Sequence, residues 1–449
     1  MRVLRFPLLF VFILAIWYSR LLAQDYSIRV EVSAALARAP WFELQSRHFR
    51  VSEDADTKQL RRIAVDLEEI RRQFLTVFPK EAASPVPTTV IVFRNAKSFR
   101  MFFEPRDAAG GFYSGLDRNY IALNADEKRR RSVYHDYIHA LIGDHVLPLW
   151  LREGLAEYYG SIENIRYSFG EDRTLQIGYR IDSHENLLKD RFLLPVNQLF
   201  AMTDDSPAYT EHDRKSVFLA ESWALVHMLH TPGFVNILQG LLQLLVANKP
   251  AQESFDAVYG VAPSLLDARL KDYIKTSRSG GWTYSQFPYS LTESKPNDWL
   301  QFNFDRTQSY VRDQGERKLT DAEVRFYIGD LLLHSGSLQE AGAYLQDALK
   351  LDPQLAPAQA SLAVLRFRQG NYDEAKEHIE RALALGSDNP LPYLLYARLI
   401  RQQVPAAAEL TEPQLQNMQT SLLQTVRFGP NLNEAVDLLT EVDSLLEQH

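Results

Sequence analysis

No cysteine occurs among the 449 residues. That excludes a disulfide framework, and it excludes lipid attachment to an N-terminal cysteine of a processed chain. Positive charge is not in excess either. The net charge is −8, which gives no general attraction to nucleic acid. The apolar stretch at the N-terminus, Phe6 to Tyr18, has 13 residues. It falls short of the roughly 20 that cross a bilayer. Preceded by Arg2 and Arg5 and followed by Leu21-Leu22-Ala23, it reads instead as a signal peptide over residues 1–23, cleaved before Gln24. The expectation is an exported protein, periplasmic or secreted, that meets a membrane only if this segment stays uncleaved.

What is present suits folded domains. The chain is 46% hydrophobic and too long for one ordinary core, so two or three domains are expected. Trp41 to Val51 and Pro87 to Phe93 have strand composition. Between them, Leu60, Ile63, Leu67, Ile70, Phe74 and Phe78 follow a helical period over 56–78. Gly110-Gly111 and Ser114-Gly115 predict turns around short strands that end at Tyr120-Ile121-Ala122-Leu123. A helix is expected from 126 to 142, and a second starts at Pro148 after a link of about five residues. A β excursion over 165–181 precedes helices at 196–203, 214–231, 234–247 and 252–276. Residues 279–320 include a Ser-, Gly- and Pro-rich stretch and read as a linker.

From 321 the period changes. Gly336 recurs as Gly370, Ala341 as Ala375, Ala348 as Ala382 and Leu351 as Leu385, each 34 residues on. Gly329 and Pro353 in the first copy, and Ala363 and Tyr372 in the second, complete the pattern. This spacing resembles tetratricopeptide (TPR) repeats, helix pairs that cross at small residues. A third pair starts near Leu391, residues 402–411 read as an insertion, and the last two helices are expected to cap the stack.

The chemistry concentrates in 134–159. His135 and His139 lie four apart, on one helical face, with Cβ atoms about 5–6 Å from each other. Two such imidazoles reach one metal ion at roughly 2.0–2.1 Å. Across an antiparallel hairpin Glu153 comes nearly level with His139, at about 1.5 Å rise per residue, and is the expected third ligand. The fourth position stays open, as in a catalytic zinc site. Asp136, beside His135, stands where a general base belongs. Glu157, one turn past Glu153, is placed to accept the far N–H of a ligand histidine.

His135-Asp136-x-x-His139 followed by Glu153-Gly154-Leu155-Ala156-Glu157-Tyr158 resembles the gluzincin pattern, His-Glu-x-x-His then Glu-Gly-x-Ala-x-Tyr. Trp41-Phe42, His48-Phe49, Gly110 to Tyr113 and Pro148 to Leu151 are similar to a bacterial group of exported peptidase-MA-like domains of unassigned function, whose members often carry C-terminal TPR repeats. The similarity spans about 41–275. It implies an α+β zincin-like catalytic domain over 24–278, followed by a helical TPR-type solenoid over 321–449. It also implies Zn2+ on His135, His139 and Glu153, and hydrolysis of peptide bonds in a peptide or protein substrate. The group's catalytic Glu falls on Asp136, a departure from the pattern. Asp keeps the charge but is one C–C bond shorter, and a misplacement near 1 Å can cost about 10²-fold in rate. A zincin-like scaffold impaired in catalysis, with the TPR region binding a partner, is the competing expectation.

Other polar residues carry plainer expectations. Lys128 to Arg131 reads as a solvated basic turn, His145 as a loop residue within reach of a metal, and Trp223 as core with surface polar neighbours. Tyr209, His212 and Glu221 are the later residues from which an oxyanion stabiliser would come.

Overall fold

The computed structural model describes residues 40–46, 49–53, 57–103, 110–126, 130–166, 173–190, 193–206, 212–260, 263–280, 285–288 and 317–447. The signal peptide expected at 1–23 lies outside them. Among the described residues no helix is long and apolar enough to cross a membrane. The architecture is a mixed α/β N-terminal region with two small sheets, followed by helical hairpins.

The first sheet has six strands. They are β1 (Phe42–Gln45), β2 (Phe49–Glu53), β3 (Thr88–Phe93), β4 (Gly110–Tyr113), β5 (Asn119–Asn124) and β9 (Arg317–Lys318), in the order β4-β5-β3-β2-β1-β9. The expected strand at 41–51 is therefore two strands, an antiparallel hairpin in which Leu44 opposes Val51. β2, β3 and β5 run parallel, with Val51 opposite Val90 and Val90 opposite Ile121. Gly110-Gly111 is not a turn but the start of edge strand β4. Helix α1 (Thr57–Phe74) covers one face with Leu60, Ile63, Leu67, Ile70 and Phe74, all fully buried.

β3 and β5 lack polar alternation because both faces of the sheet are covered. Val90, Val92, Ile121 and Leu123 enter the core shared with α1 and the helices that follow. Ile91, Phe93, Tyr120 and Ala122 enter a second core, shared with the repeats.

After β5 come α3 (Arg131–Ile142) and α4 (Leu149–Gly160), then β6 (Glu163–Arg166), β7 (Arg173–Ile177) and α5 (Asp182–Asp190). The short α2 (Ala96–Arg100) precedes β4. α6 (Val196–Ala201), α7 (His212–Leu229), α8 (Val235–Val246), α9 (Ala251–Tyr259) and α10 (Pro263–Gly280) complete the helical layer. α3 is shorter than the expected 126–142. The expected helix at 252–276 is two helices, parted at Gly260, whose φ of +63° ends α9. α5 was not anticipated at all. β8 (Ser285–Pro288) joins β6 and β7 in the second sheet. The expected linker 279–320 thus contributes a strand to each sheet, and residues 289–316 lie outside the described ones.

The repeats form α11 (Asp321–His334) with α12 (Leu338–Leu351), and α13 (Ala356–Arg368) with α14 (Tyr372–Ala384). α15 (Pro390–Arg401) packs on α16 (Glu412–Phe428), and α17 (Asn433–Leu446) on α16. Ala341, Ala348, Ala363, Ala375 and Ala382 are all fully buried where helices cross. The stack is not a tethered arm. Its first helices lie against the sheet: Phe102 meets Tyr344 at 5.9 Å between ring centroids, and Leu319 N–H donates to Trp41 O at 2.9 Å. Trp41 and Phe93 are buried in this contact, each worth about 1.5–3 kcal/mol.

Candidate metal centre

α3 buries Val133, Tyr134, Tyr137, Ile138, Leu141 and Ile142, which leaves His135 and His139 together on its remaining face. Gly143, with φ +62°, ends the helix, and the chain returns as α4. Nearly every residue of α4 is buried, because it lies between α3 and α7. Two glycines permit this. A Cβ at Gly154 would sit 2.5 Å from Ser222 O on α7, and one at Gly160 3.0 Å from Arg131 O on α3. The glycine of the Glu-Gly-Leu-Ala segment is thus required by a helix crossing.

Within this hairpin the two histidines and Glu153 converge. His135 Nε2 is 3.1 Å from His139 Nε2, and Glu153 Oε2 is 3.5 and 3.6 Å from those two nitrogens. A point equidistant from three atoms so spaced lies about 2.0 Å from each, the length of a Zn–N or Zn–O bond. His135, His139 and Glu153 form the metal-competent cluster among the described residues. The donor set therefore fits a zinc ion. Arg152 Nε lies 3.5 Å from Glu153 Oε1, so the other carboxylate oxygen is the one turned to the imidazoles.

Glu157 supports the cluster from behind. Its Oε1 is 3.5 Å from His135 Nδ1, which favours the tautomer with a proton there and a lone pair on Nε2. Glu157 is gripped in turn by the Arg131 guanidinium and by His184, whose Nε2 is 3.2 Å from Glu157 Oε2. Arg131 was expected to be solvated. It instead reaches across from the first turn of α3 to a buried carboxylate. His184 was not singled out in the sequence, because it lies on α5, itself unanticipated. The available signal was the Ile181, His184, Leu188 spacing, a short buried helical face.

The charges follow from this geometry. Burial acts to raise the Glu153 carboxyl, but hydrogen bonds from His135 and His139 hold it well below the usual carboxylate range. Burial likewise opposes ionisation of Glu157, and the His184 hydrogen bond with the Arg131 charge brings it down to about 2. His135 is lowered by burial and raised more by Glu153, Glu157 and Asp136, for a net upward shift. His184 is shifted down, chiefly by burial. Asp136 is half-buried and follows His135 on α3.

The remaining candidates lie elsewhere. His145 Nε2 is 2.9 Å from Ala82 O and its ring packs on Phe78, so it is neither a solvated loop residue nor a ligand. Trp223 is core, as expected, but its neighbours Glu221 and Ser222 are fully buried rather than on the surface. Glu221 accepts from Leu194 N–H at 2.6 Å, and burial pushes its carboxyl up to about 8. His212 opens α7, and Tyr209 lies outside the described residues.

Residues 332–399 match the tetratricopeptide repeat family. A stretch of 119 residues is 29% identical to the DnaJ homolog subfamily C member 7 homolog of Schizosaccharomyces pombe, taking in 22% of this chain and 25% of that protein. The chain thus spans about a quarter of the length of that relative. No peptidase family is matched. The chain carries a TPR region, which implies protein partners, behind an α/β region with a His-His-Glu cluster.

Proposed function

We propose that the chain is an exported, zinc-dependent metallopeptidase. The observation that supports this reading is the convergence of His135 Nε2, His139 Nε2 and Glu153 Oε2 on one point. Zinc held there would supply a Lewis acid and make a nearby water more acidic. In this reading Glu157 keeps the His135 proton on Nδ1, and Arg131 and His184 keep Glu157 in place. Asp136 accepts the proton of the attacking water and passes it to the leaving amine. Strand β4, which packs beside α3, is an edge of the first sheet among the described residues, where an extended peptide would add as a further strand. Export rests on the N-terminal segment.

A second reading, a scaffold that binds metal without efficient catalysis, is favoured by one observation: an aspartate stands at 136. The test is peptide hydrolysis by the zinc-loaded full chain. Wild-type turnover that Asp136→Asn abolishes supports the peptidase. No turnover by the wild type, with turnover gained in Asp136→Glu, establishes the scaffold instead.

A further inference from the structure

On the opposite side of α3 from the two histidines lies a cavity of about 190 Å³. Arg71 from α1, Tyr137 and Ala140 from α3, Ser84 and Thr88 before and at the start of β3, and Asn119 at the start of β5 line it. Its walls are anchored by backbone bonds, Ser84 N–H to Leu141 O at 3.0 Å and Asn119 N–H to Pro87 O at 2.8 Å. The Arg71 guanidinium hydrogen-bonds the Tyr137 hydroxyl, yet its Nε is buried with no partner. A buried N–H without an acceptor is unfavourable. Asn119 Oδ1 accepts from Gly115 N–H at 3.4 Å, so its amide N–H groups are what it can offer a ligand.

We propose that this cavity binds a small carboxylate, held by the Arg71 guanidinium and the amide and hydroxyl groups around it. No carboxylate of the chain is among the lining residues. A guanidinium presents paired donors that match a planar carboxylate. One cation with neutral donors suits a singly charged anion better than a phosphate dianion, which draws several cations or a helix N-terminus. The volume is below that of a drug-sized pocket and fits a short organic acid or the C-terminal residue of a peptide. The site is independent of the metal reading.

Calorimetric titration of the full chain tests it, with propionate, with an acetylated dipeptide in free-acid and amide forms, and with inorganic phosphate. Saturable binding of propionate or the free acid, absent for the amide, is expected, and the better binder of the two identifies the source. Arg71→Met, and Ala140→Phe as a cavity-filling change, should each weaken it at least about 10-fold. If Arg71→Met does not fold, Ala140→Phe decides alone. No saturable carboxylate binding, equal affinity in the folded variants, or preference for phosphate overturns the proposal.

Discussion

Two histidine-containing clusters of buried charge among the described residues differ in what their histidines face. At the junction of sheet and repeats, His334 has an acceptor at each nitrogen, Asp330 O at 2.8 Å from Nδ1 and Asp117 Oδ1 at 3.3 Å from Nε2. Asp330 accepts from Tyr120 at 2.5 Å and from Ser361 at 2.7 Å, Asp117 accepts from Asn389 at 2.7 Å, and Arg118 lies between the two aspartates. This cluster is closed: its hydrogen-bonding capacity is turned inward, joining the sheet to α11, α13 and α15. In the α3–α4 hairpin, His135 and His139 instead turn Nε2 toward each other and toward a carboxylate. Buried charge alone thus does not identify a site. Lone pairs converging on a shared point distinguish the second cluster from the first.

The contrast can be broken from either side. The largest effect is expected from Glu153→Ala, which removes one of three ligands. Metal analysis after mild dialysis should fall from about one zinc per chain to about none, with the fold kept. Asp330→Ala should do the reverse, leaving zinc content unchanged. It removes the carboxylate that accepts from Tyr120 and Ser361 and one of the two aspartates beside Arg118, leaving buried groups unpaired, and should cost about 3–5 kcal/mol in urea unfolding. A smaller change is expected for His184→Gln. Loosening the support of Glu157 should weaken zinc about 10–100-fold in a chelator competition, with little change in unfolding midpoint without metal.

The smallest is a pH effect. Burial lowers His334, but Asp330 and Asp117 raise it more, so its folded value lies above its unfolded one. Its contribution is complete below the unfolded value and fades as pH rises through the folded one. His334→Gln should therefore destabilise more at pH 6 than at pH 9. Equal losses at both would mean that the charge plays no part.

Much of the hairpin was legible because a helix has a fixed rise and period. His135 and His139 share a face, and the short link brings Glu153 level with His139. Glu157 followed from the same arithmetic. The repeat was legible through Gly336 and Gly370 and the alanines at helix crossings, where spacing itself encodes packing. Arg131 and His184 were not, because their partner Glu157 is 26 and 27 residues away and local pattern holds no trace of that pairing. The same blindness made 279–320 look like a linker. A two-residue strand such as β9 has no periodicity, and its partner β1 lies far back in the sequence, with Arg317 opposite Glu43.

That pairing has a consequence for biosynthesis. Arg317 meets Glu43 across 274 residues of chain, and β9 closes the edge of a sheet begun at β1. A growing polypeptide cannot finish this border until most of its length has been made. Strands with such distant partners close slowly, and an unclosed edge invites pairing with other chains. Truncation ahead of β9 would therefore yield a fragment that self-associates, even with every residue of the His-His-Glu cluster intact.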